Sequence, residues 1–365
     1  MVQRPVGMRG MKMVRLSTWG AVGRLFVSAL VLFPLACNVQ AGRTDQPHHA
    51  DNGFKNLYPT RKHGFWDFLK WQWERRWKDI PAAESYNFPA ARNEPRFLRM
   101  NRDKTTLTWI GHATLLLQIG GRNILTDPVF SDRASPVQWV GPKRVVPPGM
   151  PLDDLPQIDI VVISHDHYDA LDEGSVRKIH ERDTEGRTQF FVPLGFRSWF
   201  EKRGIHRVVE LDWWDCRKAD GLEITAVPVQ HWSKRGLLFD NKRLWAGWAI
   251  RAPGFNFLFC GDSGYAPLFR EIGRRLGPFD LAAIPIGAYE PRWFMRDFHL
   301  NPEEAVQVHV DLRSKRSIGI HWGTFILTDE PLDEPPERLE QAKAQRGLAA
   351  DEFIVLKHGE TILLK

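Results

Sequence analysis

Ser164-His165-Asp166-His167-Tyr168-Asp169 follows directly on the apolar run Ile158-Asp159-Ile160-Val161-Val162-Ile163, and this junction decides the fold. The run reads as a buried strand, and α/β sheets place their functional groups just past the carboxyl ends of strands. Two imidazoles one residue apart, with a carboxylate two residues on, put three ligands on one turn. Imidazole suits zinc, and the carboxylate suits zinc, iron or manganese. Alone, the string fits a surface turn as well as a site.

Three more strand-like runs end in the same way. Residues 222–229 lead into Gln230-His231-Trp232, residues 255–259 into Cys260-Gly261-Asp262-Ser263-Gly264, and residues 317–320 into His321-Trp322-Gly323. A lone histidine at such a place is usually a packing residue. Four metal-capable strand ends in series point instead to one shared metal centre and an α/β fold.

The order His-x-His-x-Asp, His, Asp, His resembles the metallo-β-lactamase-fold hydrolases. Longer strings narrow the resemblance: WIGHAT (109–114), LTDPVFSDRASP (125–136), PVQHWSKR (228–235), CGDSGY (260–265), PIGAYEPRWFM (285–295) and IHWGTF (320–325). They are similar to the N-acylphosphatidylethanolamine-hydrolysing phospholipase D branch and its bacterial relatives, over residues 58–365. The resemblance implies a four-layered αβ/βα sandwich. It implies that His165, His167 and His231 hold a first zinc, that Asp262 bridges, and that Asp169 and His321 hold a second. Asp169, Asp262 and His299 are then the catalytic candidates. Tyr168 and His299 match positions that contact substrate, and Lys234 would meet an anionic headgroup. His112 and Asp127 would lie beneath the metals, with Trp232, Trp293 and Trp322 lining an apolar mouth. The implied reaction is attack of water on phosphorus, releasing an N-acylethanolamine and leaving phosphatidic acid. The implied partners are a phospholipid substrate and a membrane surface, with a homodimer as a further candidate.

This chain departs from the family pattern at one position. The family's loop carries a further histidine where this chain has Ala170. That leaves Asp169, Asp262 and His321 at the second site and implies one or two zinc ions per chain. Two other readings stay open: a lactonase of the same fold, and a non-catalytic lipid-binding envelope protein with a decayed second site.

The first 41 residues read as a targeting segment. Arg4, Arg9, Lys12, Arg15 and Arg24 precede and open the apolar stretch 25–36, which is too short to span a bilayer comfortably. Val39-Gln40-Ala41 suits a signal peptidase, and Leu35-Ala36-Cys37 resembles a lipoprotein cleavage box. The expected location is the cell envelope, periplasmic or membrane-anchored. Removing 1–41 takes five of the 50 basic residues and none of the 44 acidic ones, so the net charge falls from +6 to +1. The high isoelectric point therefore belongs to the leader, and no nucleic-acid partner is indicated. Cys260 reads as a buried free thiol, with a disulfide to Cys216 as the alternative.

Residues 42–57 read as a linker, 58–104 as an aromatic and basic extension, and 105–365 as the hydrolase domain. Within the extension, Phe65, Trp66, Leu69, Trp73 and Trp77 recur at helical spacing among Lys and Arg. That face suits either a membrane interface or packing on the domain. Helices are expected at 174–182, 195–203, 266–276, 302–312 and 334–347, and a closing hairpin at 352–357 with 361–364. His48, His49, His63, His180, His206, His309 and His358 read as ordinary surface or packing residues.

Overall fold

The computed structural model describes residues 46–61, 63–236 and 240–364, which lie in one compact unit. The segment 1–41, expected to be a targeting signal, falls outside them. Two seven-stranded sheets carry the fold. In the first, Thr361–Leu363, Thr106–Gly111, Thr114–Ile119 and Arg122–Thr126 are antiparallel neighbours, and Ile160–Val162, Gln189–Pro193 and Val208–Leu211 continue in parallel. The second repeats the plan. Cys216–Ala219, Leu222–Val227, Gly247–Ala252 and Phe255–Phe259 are antiparallel, and Leu281–Pro285, Ser317–Ile320 and Phe353–Val355 follow in parallel.

Side-chain alternation explains why the sheets stack. Leu115 and Leu117 point into the core shared with Ile224, Trp248 and Phe257, while Leu116 points to the opposite face. Ile160 and Val162 likewise enter the shared core, and Val161 and Ile163 face outward onto Val176 and Ile179 of the helix Glu173–Arg182. Leu268–Leu276, Pro302–Asp311 and Glu334–Arg346 supply apolar faces to the second sheet's side of the core. The architecture is the four-layered αβ/βα sandwich. Asn301 caps the helix Pro302–Asp311: its side chain accepts from Glu304 N, and Glu304 accepts from Asn301 N.

Three regions differ from the sequence reading. The closing hairpin does not form. Phe353–Val355 pairs with Ser317–Ile320 in the second sheet, and Thr361–Leu363 pairs with Thr106–Gly111 in the first. Each run covers a sheet edge that a private hairpin would leave bare. Residues 46–57 are not a free linker, because His49–Ala50 and Gly53–Phe54 pair and Phe54 N donates to Asn241 O. The aromatic helix Phe65–Arg75 docks through Trp71, which lies off the expected stripe. Trp71 stacks on Phe294 and donates to Asp329, which also pairs with Arg75 and Lys78. Cys260 is a free, buried thiol. Among the described residues, no helix is long and apolar enough to cross a membrane.

Candidate metal centre

The strand ends deliver their side chains into one buried centre. His165, His167 and His231 bring one nitrogen each within 4.8 Å of one another. Their rings stand nearly perpendicular, with centroids 4.6 to 5.0 Å apart. His231 Nε2 lies 3.2 Å from His167 Nδ1. Asp262 adjoins this cradle, its Oδ2 lying 3.7 Å from His165 Nε2 and 3.1 Å from His321 Nε2. Asp169 Oδ2 lies 3.4 Å from His321 Nε2 on the other side.

Neighbouring groups set the tautomers. His231 Nδ1 lies 3.0 Å from Phe298 O, which can only accept, so Nδ1 carries the proton and Nε2 presents a lone pair inward. Ser164 Oγ donates to Asp127 and sits 2.8 Å from His165 Nδ1, which frees His165 Nε2 in the same way. Asn56 grips the backbone of His231 from both sides: its amide donates to His231 O at 2.8 Å and its oxygen accepts from His231 N at 3.2 Å. Glycine is required beneath the Asp262 turn. Gly261 has φ 63°, and a Cβ there would lie 2.6 Å from Ser164 Cβ.

His112, expected beneath the metals, stands among the donors themselves. Its Nε2 lies 3.2 Å from Asp169 Oδ2, and its ring lies 4.0 Å from that of His321. His112, Asp169 and His321 together form a second set of donors within 4.8 Å. The backbone holds it there: Trp109 Nε1 and His321 N both donate to His112 O, and His112 N donates to Thr324 Oγ1. His112 and His321 both keep positive φ, 52° and 61°, a strain of about 1–3 kcal/mol each that the surrounding bonds sustain. An imidazole from another strand end thus stands beside Asp169, whose loop carries Ala170.

Burial pushes His165 and His112 down to about 4 and His299 to about 3, and it holds His231 well below its ordinary value. His321 goes the other way. Burial opposes its charge, but Asp262 and Asp169 outweigh that and raise it to about 10. Burial also opposes the charges of Asp169 and Asp262, yet contacts with His112 and His321 for the first, and with His321 and His165 for the second, hold both well below the usual carboxylate range. Neutral imidazoles beside ionised carboxylates are the donor set that divalent transition metals take. His165 Nε2, His167 Nε2 and His321 Nδ1 are buried without hydrogen-bond partners, the signature of a site shaped for an ion.

Around this centre the other candidates separate. His299 faces it, 5.2 Å from His231 and 5.6 Å from His321 between ring centroids, with its Nδ1 buried and unpartnered. Tyr168 leaves the ligand loop and lines a cleft of about 550 Å³ with Glu173, Trp199, Arg203 and Arg235. Arg235 lies over the Tyr168 ring at 4.3 Å and donates to the carbonyls of Asp166 and Leu171, bracing the loop. Lys234 instead pairs with Asp240 at 2.9 Å. Of the two cations that end PVQHWSKR, it is therefore Arg235 that lines the cleft, which a reading by charge alone does not distinguish. Trp232 packs edge-on against His167. Trp293 is taken up by the aromatic helix, donating to Glu74 with Lys70 over its ring. Trp322 belongs to the core, stacked on Trp109, and does not line a mouth.

These features define a metal-dependent hydrolase, and the comparisons agree. A family profile described as "Beta-lactamase superfamily domain" matches residues 122–322. An N-acyl-phosphatidylethanolamine-hydrolyzing phospholipase D from Caenorhabditis elegans is 45% identical over 265 residues, 69% of this chain and 74% of that protein. An uncharacterized protein of Mycobacterium tuberculosis is 41% identical over 315 residues, 83% of this chain and 82% of its own. Among solved structures, the metallo hydrolase Igni18 of Ignicoccus hospitalis superposes with a TM-score of 0.55 at 23% identity, covering 72% of this chain and 99% of that one. This last likeness shows the fold alone. The chain belongs to the metallo-β-lactamase-fold hydrolases, in the family that contains the N-acyl-phosphatidylethanolamine-hydrolysing phospholipases D.

Proposed function

We propose that the protein is a zinc-dependent phospholipase D that hydrolyses N-acylphosphatidylethanolamine to an N-acylethanolamine and phosphatidic acid. The observation that carries this reading is a pair of adjoining cradles that meet at Asp262 and are faced by His299, within a chain so similar to the nematode phospholipase D. His165, His167 and His231 would hold one zinc. Asp169, His321 and His112 would hold a second, with Asp262 between them. A bound zinc pair supplies Lewis acidity, lowering the pKa of water and drawing charge from phosphoryl oxygens.

The chain's own groups do the rest. His299, kept neutral by burial, offers a hydrogen bond to a phosphoryl oxygen at neutral pH. The Tyr168 hydroxyl can donate to the same group, with its ring fixed under Arg235. Asp169 accepts a proton's hydrogen bond from an attacking water and so orients it.

The same reading covers location. Export to the cell envelope, by signal cleavage or a lipid on Cys37, would bring the enzyme to its substrate. The helix Phe65–Arg75 would then meet the bilayer, since Trp66 is 79% and Trp77, just past its end, 78% exposed. The test is release of phosphatidic acid from N-acylphosphatidylethanolamine vesicles with added zinc. Zinc-dependent release that is lost in His167→Ala is expected. No release from the zinc-loaded wild-type protein would defeat the proposal.

A further inference from the structure

A second group of metal-capable side chains lies away from the active centre. His48 Nε2 is 2.6 Å from Asp212 Oδ1, and His49 Nε2 is 2.9 Å from Asp212 Oδ2. Neighbouring residues on an extended chain normally point to opposite faces. Here the turn before His49, closed by His49 N donating to Gln46 O, swings both rings onto one carboxylate. The rings are held crosswise: His48 and His49 are edge-to-face at 86°, His48 stacks on Trp213 at 4.3 Å, and His49 meets Phe54 edge-on. Three donor atoms from these residues lie within 4.8 Å of one another, and His48 is buried.

We propose that His48, His49 and Asp212 form a structural site for a divalent transition-metal ion, zinc by ligand type. Two imidazoles and one carboxylate are three of the four ligands zinc takes, with water as the fourth. In the ligated form each ring would carry its proton on Nδ1 and present Nε2 to the ion, which takes the place of the two imidazole–carboxylate contacts on a carboxylate already accepting from Trp213 N. The two imidazole–carboxylate contacts, now 2.6 and 2.9 Å, would open to admit the ion, because zinc holding nitrogen and oxygen tetrahedrally at about 2.0–2.2 Å sets neighbouring donors roughly 3.3–3.6 Å apart.

The site has a structural consequence for the active centre. Asp212 follows the strand Val208–Leu211 as the His165 loop follows Ile160–Val162, two strands away along the same sheet edge. His48 O accepts from Lys55 N, and the next residue, Asn56, is the one that grips His231. An ion at His48 and His49 therefore anchors the strap 46–57 that holds a ligand of the catalytic centre.

The experiment measures zinc per chain in the full-length protein after equilibrium dialysis against zinc chloride. Wild type, His49→Gln and His167→Ala are compared. Glutamine keeps an N–H for Asp212, so the fold and the contact survive while the ligand is lost. The expected result is one zinc fewer in His49→Gln than in wild type. His167→Ala, which lacks the first active-centre ion, should lose one further ion when His49→Gln is added. Equal zinc in wild type and His49→Gln would overturn the proposal, whatever the enzyme's activity. In the His167→Ala background, zinc at ten times its Kd should slow proteolysis within residues 46–57 by about tenfold, and His49→Gln should abolish that protection. Cleavage that ignores zinc in the His167→Ala protein would overturn it equally.

Discussion

The two cradles of the active centre are built on different principles. The first is three imidazoles with no carboxylate among them, one strand-end loop giving His165 and His167 and the other sheet giving His231. Within it only His231 Nε2 finds a partner, His167 Nδ1 at 3.2 Å, and His165 Nε2 and His167 Nε2 stay without one, a lack that a cation would fill. The second sets His112 and His321 against Asp169, with Asp262 alongside. Without metal it can neutralise itself by keeping a proton on His321, between two carboxylates. The first cradle therefore specifies a metal, whereas the second tolerates either a metal or a proton. That tolerance explains how the chain can carry Ala170 and remain folded around both cradles.

The largest effect should come from the cradle with no alternative. His167→Ala is expected to remove the first ion and lower zinc-dependent turnover by on the order of a thousandfold or more, read by metal analysis alongside product release. Retention of both ions would erase the distinction drawn between the cradles.

Acidification sharpens it next. Below a pKa of about 10, a metal entering the second cradle must displace the His321 proton, so its affinity should fall about tenfold per pH unit. His165, pushed down to about 4, imposes no such cost above that pH. Zinc titrations at pH 8 and pH 6 should show the weaker site losing about a hundredfold, and the two sites weakening in parallel would contradict this. The metal-free protein should behave in the opposite sense. The raised His321 pKa contributes stability that is fully present below pH 6.5 and is lost as pH rises through about 10.

His112→Ala tests the borrowed imidazole. It should lower second-ion affinity by at least about tenfold while leaving the first ion bound. Ala170→His in that background is the informative rescue, and an unchanged second affinity in His112→Ala would return His112 to a packing role. The smallest effect is expected from Asn56→Ala, which removes two hydrogen bonds to the His231 backbone, a cost of about 1–2 kcal/mol, and should reduce first-ion affinity several-fold.

Much of this was legible in the sequence because a short apolar run bounded by turn residues admits few alternatives. Phe255–Phe259 and Ser317–Ile320 have the bounds that their patterns give, and the ligand turns follow at once. His112 carried the same signal, standing just past the strand Thr106–Gly111, but nothing local shows that its ring turns toward Asp169. Asn56 had no signal at all, since its partner lies 175 residues away. Arg235 and Lys234 differ by which neighbour buries them, and Trp322 by which face of its turn meets Trp109. The failed hairpin is of the same kind, because two adjacent runs found longer-range edges that local pattern cannot reveal.

Those two runs also dictate when the enzyme can be finished. The first sheet opens at Thr106–Gly111, yet its neighbouring edge strand, Thr361–Leu363, is made after every other described strand of both sheets. Until then the earliest sheet is missing a border. His167 must wait 64 residues for His231, and Asp169 waits longer for His321. Both donor sets are therefore complete only once His321 has been made.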